Sequence, residues 1–304
     1  MPQASAGRHI RNEGYVSADD GVRLYYRGWR PAAADVSSVV LFIHGIGLHG
    51  DAPPYGARVV NPGLLGRGTA FYAADLRGHG QSGGRLEGIS GDVLIGDLKC
   101  QVSHLQAVHG SVPLYLYGHN FGGLLSLGYA AAHGRDVRGV IVSEYSRLIK
   151  NSARQIVGQG ATASVLDRIV GRLRPQSRSF RFLAPAEYRQ LCSKYHIPVD
   201  GDILRSLEKS DCPGSRMEYG KEFFTACGAG DEFRIAGKVR SPVLMMFARN
   251  DPFFDIRGAY DVLTRISSLD KMLIQVDVAG HYGIIESSQD HVDRWITSRL
   301  PRNA

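Results

Sequence analysis

The chain has 304 residues, of which 43% are hydrophobic and 21% charged. That size and apolar share suit one large domain with a sizeable core, and they exclude a disordered chain, a disulfide-stapled miniature fold and a collagen-like repeat. The formal net charge is +7, yet basic residues such as Arg8, Arg11, Arg23, Arg27 and Arg30 are interleaved with acids, so no nucleic-acid partner is indicated. No apolar run reaches the roughly 18 residues of a membrane span. Met1 to Asn12 is polar and lacks the apolar centre of a secretion signal, so the expected location is the cytoplasm. Cys100, Cys192, Cys212 and Cys227 show no metal-ligand spacing and read as reduced, packed thiols.

Strand-like segments are expected at 22–29, 39–43, 69–74, 112–117 and 137–142. They are short apolar runs bounded by glycine, and helical patterns at 92–109 and 124–133 separate the later ones. That alternation builds a mostly parallel sheet covered by helices, with ligand sites at the strands' carboxyl ends. The pattern changes over 148–238, which is richer in charge and glycine and carries helical stretches at 163–173 and 185–192. Strands return at 242–248 and 272–278, and a helix at 287–300 closes the chain. The expected organisation is a core of 1–147 and 239–304, interrupted by a cap at 148–238.

The most informative segment is Leu116-Tyr117-Gly118-His119-Asn120-Phe121-Gly122-Gly123. It follows an apolar strand and opens a helix. A small-x-nucleophile-x-small pattern in that setting makes a sharp turn that exposes its central side chain. With this motif the chain resembles the α/β-hydrolase superfamily, and its monoacylglycerol lipase and lysophospholipase branch in particular. Three further segments carry the likeness: Gly14-Tyr15-Val16 through Gly28-Trp29-Arg30-Pro31, His44-Gly45-Ile46-Gly47, and Asp75-Leu76-Arg77-Gly78-His79-Gly80-Gln81-Ser82-Gly83-Gly84. The resemblance implies an eight-stranded, mostly parallel sheet flanked by helices with a helical cap. It also implies an acid at Asp251, in Phe247-Ala248-Arg249-Asn250-Asp251-Pro252, and a base at His281, in Ala279-Gly280-His281-Tyr282. Oxyanion donors follow as the backbone N–H groups of Ile46 and Phe121.

The departure is Asn120, which stands where the branch has serine and where related dehalogenases and epoxide hydrolases have aspartate. A carboxamide is a poor nucleophile, because its nitrogen lone pair is delocalised and its oxygen carries only partial charge. Removing the nucleophile of a hydrolytic triad costs on the order of 10⁶ in kcat. Asparagine nevertheless tolerates positive φ, so the turn itself can persist. Four accounts are open: an introduced change in a serine enzyme, a replacement of aspartate, a natural residue that leaves His281 and Asp251 for proton transfer, and a binding module without catalysis.

Glu144, in Val142-Ser143-Glu144-Tyr145, reads as a second acid near His281 or a substrate-facing base, or as a carboxylate paired with Arg147 or Arg154. His49, Tyr145, Phe223 and Phe224 are candidate substrate-lining residues, and an apolar, aromatic cap suits a hydrophobic ester or acyl compound. No cofactor or metal is expected. The leading expectation is a lipase- or esterase-like hydrolase impaired at its nucleophile, followed by a cofactor-independent lyase, isomerase or cyclase.

Overall fold

A computed structural model describes residues 9–32, 35–85, 89–147, 179–180, 185–194, 199, 201, 204–205, 219–220, 231–251 and 253–300. Its strands are β1 (His9–Ser17), β2 (Arg23–Pro31), β3 (Ser38–Ile43), β4 (Thr69–Ala74), β5 (Leu114–His119), β6 (Gly139–Ser143), β7 (Ser179–Phe180), β8 (Tyr219–Gly220), β9 (Val243–Asn250) and β10 (Lys271–Ala279). Eight of them form one sheet in the order β1-β2-β4-β3-β5-β6-β9-β10, and β7 pairs only with β8. The pairs β1–β2 and β2–β4 are antiparallel. From β4 to β10 every pairing is parallel.

The central strands are continuous apolar runs because helices cover both of their faces. Alternate residues therefore serve two cores. Val39, Leu41, Ile43 and Leu116 face one cluster, together with Leu94, Leu98 and Val102 of helix α2 (Gly91–His109), which follows the short helix α1 (Pro62–Gly66) and β4 in the chain. Val40, Phe42, Tyr115 and Tyr117 face the other, against Ile284, Trp295 and Ile296. The helical period of the buried α2 leucines and valine matches a single apolar stripe.

The seven strands expected in the core are all present. An eighth, β1, is an addition: its sequence HIRNEGYVS contains no buried residue, so it lacked an apolar signature. It joins the sheet through backbone pairing, from His9↔Pro31 to Ser17↔Arg23. The closing helix is two helices, Ile284–Ser287 and Gln289–Thr297, divided at Ser288. Gln289 fixes that division: its Nε2 donates to the carbonyls of Arg58 and Val60, while its own carbonyl accepts from Asn61 Nδ2. The stretch 185–192 forms the helix Pro185–Lys194. The expected helix at 163–173 lies outside the described residues.

The sheet register gathers the site. Ile43 stands opposite Gly118, His119 opposite Ser143, and Ala279 opposite Asn250. The turns after β3, β5, β6, β9 and β10 consequently open at one end of the sheet, where parallel sheets place their ligand sites. Helix α3 (Phe121–His133) starts immediately after β5 and packs on it closely. A Cβ on Gly122 would come within 2.1 Å of the Ile43 carbonyl oxygen, and one on Gly118 within 2.2 Å of the Gly122 oxygen. Gly122→Ala is expected to cost about 2–3 kcal/mol, the scale of overpacking against unyielding backbone. A Cβ on Gly66 would meet nothing within 4 Å. Gly66→Ala is the matched control, and denaturant midpoints should separate the two variants.

Candidate active site

A single residue, Asn120, makes the turn between β5 and α3. Its φ of 54° and ψ of −118° lie in a sparsely populated region that costs of order 1–3 kcal/mol. Neighbouring backbone fixes this conformation. The Asn120 N–H donates to the Ser143 carbonyl at 2.9 Å, and the Gly123 N–H donates to the Asn120 carbonyl at 2.9 Å. The half-buried side chain is thereby held at the mouth of the site.

Hydrogen bonding orients the carboxamide. The Phe121 N–H can only donate, so the atom it meets at 2.6 Å is Oδ1. Nδ2 then lies 3.0 Å from His281 Nε2 and donates to it. That leaves Nδ1–H of His281 to donate to Asp251 Oδ2 at 2.5 Å. Asp251 Oδ1 accepts from the Phe253 and Phe254 N–H groups at 2.6 and 2.7 Å. Burial pushes the Asp251 carboxyl up, but His281, the Glu144 carboxyl and the Phe254 N–H more than offset this and hold it well below the usual carboxylate range. Four rings surround the imidazole: His119 at 4.7 Å, Tyr282 at 4.9 Å, Phe253 at 5.0 Å and Phe254 at 5.7 Å between centroids.

Glu144 continues the same cluster. It is fully buried, and with φ 50° it is the second non-glycine residue of positive φ among the described residues, after Asn120. Its Oε1 accepts from the Ala248 N–H at 2.5 Å, and its carboxyl group lies within 4.8 Å of Asp251. Pairing with Arg147 is corrected: that guanidinium turns outward to Asp261, at 2.7 Å. Arg154 lies outside the described residues. Among the described residues, Glu144, Asp251 and His281 form the one trio with metal-ligand atoms clustered, all within 4.8 Å. The atoms that Asp251 and His281 would offer already face one another.

The loop after β3 is held by neutral imidazoles. The Leu76 N–H donates to His44 Nε2 at 3.0 Å, and the Gly47 N–H donates to His79 Nε2 at 3.3 Å. The remaining nitrogens serve the carbonyls of Gly45 and Arg77. Burial pushes His44 well below its ordinary value and His79 down to about 4. The Gly45 N–H donates to the Tyr55 hydroxyl at 3.1 Å. Below the loop, Asp75 accepts from the Gly50 and Gln81 N–H groups and pairs with the buried Arg27 at 3.2 Å. Ile46 sits half-buried between the two anchored glycines.

The chain matches known hydrolases in family, sequence and fold. Residues 34–288 match the family described as serine aminopeptidase, S33. The chain belongs to that α/β-hydrolase family. It is 24% identical to monoglyceride lipase of Homo sapiens over 92% of this chain and 88% of the relative. It is 25% identical to monoacylglycerol lipase of Mycolicibacterium smegmatis over 95% and 98%. A soluble variant of monoglyceride lipase from Saccharomyces cerevisiae, solved with a substrate analog, superposes with a TM-score of 0.69 at 17% identity, over 98% and 99% of the two chains.

In this α/β-hydrolase, Asn120, Phe121, Glu144, Asp251 and His281 meet at the strand ends. Two candidate lining residues have other contacts. Tyr145 is buried in the core with its hydroxyl donating to Glu232 at 3.3 Å, and His49 sits beside Gly80 and accepts from the Asp51 N–H. Phe223 and Phe224 lie outside the described residues. Sequence reasoning missed Phe253 and Phe254, which pack on the imidazole and support Asp251 at once. It also missed the second imidazole of His119 behind His281.

The depressed pKa of His79 gives a pH dependence with a definite sign. Between 6.5 and about 4 the unfolded chain binds the proton that folded His79 refuses. Its stabilisation is therefore complete above 6.5 and is lost as pH falls toward 4, by about 3 kcal/mol. Denaturant midpoints across that window should show the loss, and His79→Gln should flatten the slope. An unchanged slope in that variant would contradict the neutral-imidazole role.

Proposed function

We propose that this protein binds a small hydrophobic ester or related acyl compound at the carboxyl ends of its central strands, and that Asn120 keeps the chain from forming an acyl-enzyme. The supporting observation is the position of the Asn120 carboxamide, which bridges the Phe121 N–H and His281 Nε2. Those two groups are what an attacking oxygen and a developing oxyanion require. The lipase names carried by its relatives support the ester class. In this reading 1–147 and 239–304 form the core, while 148–238 form a cap whose Phe223 and Phe224 line the acyl pocket.

His281, oriented by Asp251, is the base. Ile46 N–H and Phe121 N–H are the oxyanion donors, the latter once the Asn120 oxygen moves aside. Glu144 is a buried carboxyl group behind the pair, its Oε1 taken by the Ala248 N–H. This buried acid also favours a second reading, in which His281 moves protons on a bound carbonyl compound without any acyl-enzyme.

Asn120→Ser tests the ester assignment. Short aryl esters should be hydrolysed at least about 10³-fold faster than by the unaltered chain, given the 10⁶ scale of nucleophile loss. A fluorophosphonate should label the variant at residue 120 and leave the unaltered chain unlabelled. A folded Asn120→Ser protein with no gain on any acyl ester would sink the ester reading. A substrate turned over by the unaltered chain and lost in His281→Ala would establish the proton-transfer one.

A further inference from the structure

The Asn120 side chain is itself an amide, and it lies in the site as a substrate amide would. Its carbonyl oxygen accepts from the Phe121 N–H at 2.6 Å, and its nitrogen rests 3.0 Å from the imidazole that Asp251 orients. Asn61 shows the contrast. Its oxygen accepts from the Leu64 N–H at 3.0 Å, but its nitrogen faces the Gln289 carbonyl at 2.8 Å, a group with no proton to give. At Asn120 one end of the amide is polarised and the other touches a base that can become an acid. The backbone of the turn holds that pose, and the half-exposed side chain is open to water.

We propose that Asn120 is a self-modification site: His281 and Asp251 direct hydrolysis of its side-chain amide, converting it to an aspartyl carboxylate with release of ammonium. Water is the only co-reactant. His281 Nε2 takes a proton from the water, whose oxygen bonds to Cγ while the Phe121 N–H holds the charge on Oδ1. The imidazolium then passes that proton to Nδ2, the Cγ–Nδ2 bond breaks, and ammonia leaves with the remaining acid proton as ammonium. The product carboxylate supplies the attacking oxygen that the amide lacks. The inference stands on the geometry of these side chains and holds whatever acyl compound the pocket takes.

The experiment needs no substrate. The purified full-length chain is held in water labelled with heavy oxygen and followed by mass spectrometry of the intact protein and of the tryptic peptide 100–135, in which Asn120 is the sole asparagine. The expected result is conversion at residue 120 to ordinary α-linked aspartate carrying one heavy oxygen. Conversion should be slowed about a hundredfold in His281→Ala, on the scale of a lost general acid–base group. Because that variant can fail to fold, the unaltered chain unfolded in urea is the second comparison, and it should lose the same factor. A folded chain that retains the amide would overturn the inference. So would equal rates in all three samples, or an iso-aspartyl product, which reports attack by the Phe121 nitrogen instead. None of these readouts depends on ester turnover, so this inference and the ester assignment fail separately.

Discussion

The approach of α3 to the end of β3 is the constraint from which the site follows. The first turn of the helix lies against the carbonyls of Ile43 and His44, too close for any side chain at residue 122. The chain can leave β5 and enter that helix only through a tight turn, and residue 120 takes it at positive φ. A side chain in that turn cannot retreat into the core or swing fully into solvent. Whatever stands there is presented to the Phe121 N–H and to His281. The strain is small beside the two cores that the sheet and its helices bury, so the fold can carry it without reference to the chemistry of the residue.

Several buried polar groups around the site are matched to partners that fix their charge. Arg27 faces Asp75, Arg77 faces Asp97 and Asp20, and the imidazoles of His44 and His79 accept backbone N–H groups that only a neutral ring can accept. A buried charge left without such a partner would cost several kcal/mol. The network ties the loop after β3 to the loop after β4, so the backbone near Ile46 is positioned by side chains more than thirty residues away. Glu144 gives its Oε1 to the Ala248 N–H in the same way.

Much of the fold was legible because the central strands are buried on both faces and read as unbroken apolar runs, as in Val39 to Ile43. β1 was not, since an edge strand held by backbone pairing needs no apolar pattern. The start of α3 is marked by the glycine turn, but its apolar pattern begins only at Leu124, because Gly122 and Gly123 are poor helix formers kept there by the close packing of α3 on β3. At the site, Asp251 and His281 could be placed because they follow strands in recognisable turns. Phe253 and Phe254 could not, since nothing local marks a ring that will stack on an imidazole some thirty residues onward. Arg147 misled for a similar reason: its partner, Asp261, lies in the helix Ile256–Arg265 beyond β9, and sequence distance gave no hint of it.

The ring of aromatic side chains about His281 has a mechanical meaning. Rings of His119, Phe253, Phe254 and Tyr282 pack on the imidazole from several sides and restrain its tilt. Accommodation of an incoming molecule therefore falls to the one flexible partner in the cluster, the carboxamide opposite. It must break its two hydrogen bonds and turn about its own side-chain bonds before anything else can occupy that space. In the proposed reading, ligand entry here turns on a torsional step of a single residue.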